Sequence, residues 1–77
     1  MIRVGDRVRL TGLPPGISSL PPETQEIFRF CLGRTYLVAG VDQDNELFVL
    51  DVSIDIDSRF GGFMNDIRVE QEFLEPL

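Results

Sequence analysis

Histidine and lysine are both missing from this chain, and it has a single cysteine. Without histidine it lacks the usual general base near neutral pH and the commonest metal ligand. One cysteine builds neither a thiolate metal site nor a two-cysteine redox centre, and it forms no internal disulfide. A stapled secreted scaffold is therefore excluded, and a bacterial-type cytoplasm is the expected compartment. No apolar run approaches the roughly 18 residues that span a bilayer. Arg3 is followed by no apolar stretch, so neither a signal peptide nor a membrane association is expected. Gly61-Gly62 stands without any phosphate-cradling glycine pattern around it.

What the chain does contain fits one soluble globular domain over residues 1–77. It has 43% hydrophobic and 26% charged residues, too apolar for disorder. A chain this short buries about 60% of its unfolded surface, so its stability is expected to be modest, on the order of 5 kcal/mol. The net charge is −6 and unevenly spread. Residues 1–34 carry five arginines against three acids, a balance of +2; residues 35–77 carry two arginines against ten acids, a balance of −8. A net-negative domain repels polyphosphate, which makes a nucleic-acid partner unfavourable. The asymmetry has two readings: strands from the two halves pair their charges, or the acidic half docks a basic partner.

Val8 and Leu10 alternate with Arg7 and Arg9, the pattern of a half-buried strand entered through a turn at Gly5-Asp6. Residues 11–22 hold four of the five prolines, which makes them a loop of restricted flexibility, either a stiffened connector or a polyproline II segment. A short helix is expected near residues 22–32. Proline suits a first turn, Glu23 and Glu26 suit the positive end, and Gly33 is a natural stop. Ile27 and Cys31, and Phe28 and Leu32, fall four apart on one broad apolar face, which makes Cys31 a buried small hydrophobe.

Arg34 to Val41 reads as a second strand and Asp42-Gln43-Asp44-Asn45 as a hairpin turn, with Asn45 suited to positive φ. The third strand is the most regular: Phe48, Leu50, Val52, Ile54 and Ile56 on one face, Asp51, Ser53, Asp55 and Asp57 on the other, with a bend expected near Ser53. A Gly-Gly loop carries Phe60, Phe63 and Met64. Two closing strands follow, separated by a tight turn at Gln71-Glu72, and the last is expected to return to the first. The expected core includes Val8, Leu10, Val38, Phe48, Leu50, Val52, Val69 and Leu74. The fold class is mainly all-β: a small SH3-like barrel of about five strands with one short helix.

The opening Val4-Gly5-Asp6-Arg7-Val8-Arg9, the central Gly33-Arg34-Thr35 and the closing Phe73-Leu74-Glu75-Pro76 fall in a known order. The chain resembles the SH3-like barrel that forms the C-terminal part of nitrile hydratase beta subunits, and related barrels that serve as accessory subunits of electron-transfer proteins. The resemblance spans nearly the whole chain. It implies a non-catalytic domain that packs against another protein. The metal and its cysteine ligands in nitrile hydratase belong to the other subunit, so no catalytic residue carries over. A second resemblance, to ribosome- and transcription-associated SH3-like barrels, rests on Gly5-Asp6 and Val8 alone.

These readings lead to an accessory or protein-interaction module with no catalytic residue, cofactor or metal. Phe60, Phe63 and Met64 either fold back over the sheet or form an exposed contact patch. The expected partner surface combines them with Asp55 and Asp57 on the acidic strand. Alternate acids there lie about 6–7 Å apart, a spacing also compatible with a hard cation or with paired acid–base work. Asp42, Asp44 and Asn45 crudely match a calcium loop, although the following glycine and the bidentate glutamate are not at the needed spacing. The alternative function is a nucleic-acid-binding barrel using Arg3, Arg7, Arg9, Arg29 and Arg34. Open edge strands also leave a homodimer as one option.

Overall fold

The computed structural model describes residues 2–53 and 66–77. Strand β1 (Arg7–Leu10) leads through the proline loop and a 3-10 turn (Ile17–Ser19) to helix α1 (Pro22–Cys31). Strands β2 (Thr35–Asp42) and β3 (Leu47–Asp51) form a hairpin. Strand β4 (Asp66–Glu70), a second 3-10 turn (Gln71–Phe73) and strand β5 (Leu74–Pro76) complete the described chain. The five strands make one antiparallel sheet in the order β4-β3-β2-β1-β5.

The two ends pair as expected. β5 lies beside β1, with Val8 opposite Pro76, Arg9 opposite Glu75 and Leu10 opposite Leu74. This pairing bends the sheet. Strands β4 and β5 stand at opposite ends of the strand order, about 19 Å apart in a flat sheet of five. Yet only the three residues of the second 3-10 turn separate them, an advance of about 8 Å from Glu70 to Leu74. The sheet therefore curls so that its two edges approach. Among the described residues no ladder joins β4 to β5, and the seam between them is open.

Inside the curl, alternation sets the core. Val8 and Leu10 are fully buried while Arg7 and Arg9 face out. Seven of the eight expected core residues are buried: Val8, Leu10, Val38, Leu50, Val52, Val69 and Leu74. Phe48 is the exception, half-buried and packed against the cluster. Ile2, Tyr36, Ile67 and three helix residues complete the core.

Those helix residues are Ile27, Phe28 and Cys31. Leu32, expected on the same face, is 43% exposed because α1 stops at Cys31 and Leu32 turns to extended backbone. Gly33 makes the stop possible. Its φ of 83° lies in the left-handed region that side chains disfavour, and its N–H then donates to the Leu10 carbonyl at 2.8 Å. At the other end the Gln25 side-chain amide donates to the Leu20 carbonyl at 2.8 Å, which ties the proline loop to the helix.

Two local departures shape the hairpin. Positive φ falls on Glu46 (57°) and not on Asn45, whose N–H and side-chain amide donate instead to the Asp42 carboxylate. The register also shifts between Val38, opposite Leu50, and Gly40, opposite Val49. Ala39 is the extra residue of a bulge. The third strand ends at Asp51, close to the expected bend. Val52 remains buried beyond it, and the Asp51 carboxylate accepts from the Ser53 N–H at 3.0 Å and the Ser53 hydroxyl at 2.7 Å. Ile54 and Ile56 lie outside the described residues.

Candidate functional site

The contact residues expected from sequence, Asp55, Asp57, Phe60, Phe63 and Met64, all lie outside the described residues. The remaining candidates can be placed. Arg9 and Arg34 gather at the C-terminal end of α1. The Arg34 Nε donates to the Phe30 carbonyl at 3.1 Å, and its guanidinium lies 4.2 Å from the centre of the Phe30 ring. Arg9 donates from Nη1 to the Gly33 carbonyl at 2.9 Å and sits 3.8 Å from the Glu75 carboxylate. Arg34 thus serves a carbonyl at the negative end of the helix, where a cation is favourable, and Arg9 serves the Gly33 carbonyl just past that end. Arg7 is on the outer sheet face opposite Leu37, and Arg29 is in the last turn of α1.

The acidic candidates are also engaged. The Asn45 side-chain amide holds the Asp42 carboxyl below its ordinary 3.8; some desolvation opposes this, and the Asn45 backbone and Arg68 assist it. Arg68 lies 3.7 Å from Asp42 across the hairpin. The Ser53 hydroxyl, then its backbone N–H, lowers Asp51 in the same way. Among the described residues no three acidic or cysteine side chains are gathered closely enough to hold a metal ion. Cys31 is fully buried.

The bulge creates the feature that the sequence reading missed. Past Ala39 the inward positions of β2 move to odd register, so Val41 faces Phe48, and Phe48 faces Val69 on β4. Along this single cross-strand row burial runs out. Val69 is fully buried, Phe48 is half-buried and Val41 is 44% exposed. The row inside it, Val38–Leu50–Ile67, is buried throughout.

Where the outer row runs out, the hairpin turn and the second 3-10 turn enclose a groove of about 550 Å³. Val41 and Phe48 supply its apolar surface. Glu46, Glu70 and Glu72 line it alongside Gln43, Asn45 and Gln71. The only described ion pairs involve Glu75 and Asp42, so none of the three groove carboxylates is paired with a cation among the described residues. Gly40 inside a strand was the available signal, because an interior glycine often marks a bulge.

A second cleft of about 460 Å³ lies between the proline loop, α1 and β4, lined by Pro14, Leu20, Thr24, Phe28, Asp66, Ile67 and Arg68. On the outer sheet face Leu37 and Leu77 are exposed on either side of Arg7. No helix among the described residues is long and apolar enough to cross a membrane. Compared with family models, curated proteins and solved structures, the chain matches none.

Proposed function

We propose that this chain is a non-catalytic protein-interaction or accessory module of the cytoplasm, built on an SH3-like barrel. The barrel reading is supported by the strand order, by the pairing of β1 with β5 and by the three-residue link between the two edge strands. It agrees with the resemblance to the barrel of nitrile hydratase beta subunits. The lack of histidine and the burial of Cys31 favour binding over catalysis. One observation carries the module reading: the inward-facing row Val69–Phe48–Val41 ends uncovered in a groove. A small domain short of core keeps apolar groups on an open inner face where a partner completes the packing. Phe60, Phe63, Met64, Asp55 and Asp57 form a second contact region of the same module.

The nucleic-acid alternative has less support, because Arg34 is engaged with the Phe30 carbonyl of α1, Arg9 with the Gly33 carbonyl just beyond it, and the net charge opposes phosphate. Affinity capture from a bacterial extract, followed by direct titration of the enriched protein against the purified chain, tests the proposal. One reproducible protein that binds directly is the expected result. Absence of any direct protein binder, or salt-sensitive binding of single-stranded or duplex nucleic acid instead, contradicts it.

A further inference from the structure

We infer that the groove at the end of the β2–β3 hairpin receives a basic, amphipathic peptide segment: an arginine or lysine, flanked by an apolar residue, that lies on Val41 and Phe48 with its charged head among Glu46, Glu70 and Glu72. This inference rests on the module reading above and adds the chemistry of the partner.

The argument is one of charge and shape. Three carboxylates line one groove with no described cation to offset them, so together they raise the local affinity for positive charge. The surface between them is apolar and aromatic. Arginine and lysine suit such a site because each carries an aliphatic stem that lies along apolar surface and a cationic head that reaches past it. An arginine head over the Phe48 ring adds a cation–π contact. A phosphate backbone or an anionic membrane surface is repelled by the same carboxylates.

The groove volume, about 550 Å³, accommodates a few side chains and not a broad folded face. A linear segment is the occupant of that size. A second copy of this chain fits less well. Its Arg9, Arg34 and Arg68 are held by Glu75 and the Gly33 carbonyl, by Phe30, and by Asp42, while Arg7, between Leu37 and Leu77, and Arg29 sit on a strand and a helix of the folded domain and not on a linear segment.

The test uses the whole chain, uniformly labelled with nitrogen-15, and two synthetic heptapeptides. One alternates arginine with leucine; in the other, neutral citrulline replaces each arginine. The arginine peptide is expected to shift amides over residues 41–48 and 69–73 at low salt, and the citrulline peptide to bind roughly tenfold more weakly or not at all. A triple variant, Glu46→Gln with Glu70→Gln and Glu72→Gln, removes the charge without touching the core and is expected to weaken the arginine peptide by a similar factor.

Equal binding of the two peptides overturns the inference, as do shifts centred on the Leu37 and Leu77 face. Groove shifts that appear on raising the protein concentration alone mark a second copy as the occupant and also overturn it. A captured protein partner that binds directly but leaves the groove amides unmoved overturns the basic-segment inference while the module reading stands. Failure to find any direct protein partner strikes the module reading itself.

Discussion

Glu46 is the residue whose backbone runs against its type. A φ of 57° is rare for a residue with a β-carbon and costs about 1 kcal/mol, a position that glycine or asparagine usually fills in a hairpin turn. Glu46→Gly is expected to raise stability by about 0.5–1 kcal/mol in a denaturant titration. A loss of stability would show that the Glu46 side chain contributes more to the fold than its backbone costs. Asp51 and Asp42 supply a pH dependence of known sign. Both carboxyls are held below 3.8 in the folded chain, so the stability they contribute is fully present above that value. It is lost as the pH falls from 3.8 through the lowered values. Asp51 is exposed and Asp42 only half-buried, so the loss is small. Ser53→Ala is expected to return the Asp51 midpoint part of the way toward 3.8 in a carbon-detected carboxyl titration; an unchanged midpoint would remove the Ser53 hydroxyl as the leading cause.

At the scale of elements, legibility followed periodicity. Period-two alternation located β1 and β3, because the inward residues of a curled sheet are buried on one face only. Proline and glycine punctuation located α1 to within a residue of its end. Its Leu32 was misplaced because the chain leaves the helix one step before the spacing of the apolar residues does. Phe48 was misplaced for a different reason. Alternation put it on the inner face, but it lies in the row Val69–Phe48–Val41 at the hairpin end, where burial runs out. The groove was therefore not legible: it combines a register shift in the β2–β3 pairing with a lining drawn from residues thirty positions apart in sequence, such as Val41 and Gln71. Pairing of the two ends was legible from their strand patterns. Removal of residues 74–77 is expected to cost about 3 kcal/mol or more, since it withdraws the buried Leu74 and leaves β1 unpaired on one side. Against a total on the order of 5 kcal/mol, loss of most of the folded population in circular dichroism follows. A truncated chain that melts like the full one would mean that β5 does not hold the sheet.

For the molecule as a whole, the acidic balance of residues 35–77 is partly spent on cross-strand pairs, as Arg9 with Glu75 and Arg68 with Asp42 show. Three more of its acids, Glu46, Glu70 and Glu72, line the groove where the inner row of the sheet is uncovered. Of the two sequence readings of the charge, pairing between the two halves is seen among the described residues at Arg9 and Glu75, and docking of a basic partner is the proposal for the groove. The proposed second contact region makes a separate prediction. Phe60→Ser with Phe63→Ser is expected to weaken partner capture while the melting temperature stays nearly unchanged, and a large fall in melting temperature would assign both rings to the core. The most direct test of the central claim is amide hydrogen exchange on the chain alone and bound to its directly interacting protein. Slowed exchange over residues 41–48 and 70–72 in the complex is the result that an uncovered, acid-lined groove predicts. Unchanged exchange in those two segments, with protection gained elsewhere on the surface, would contradict it.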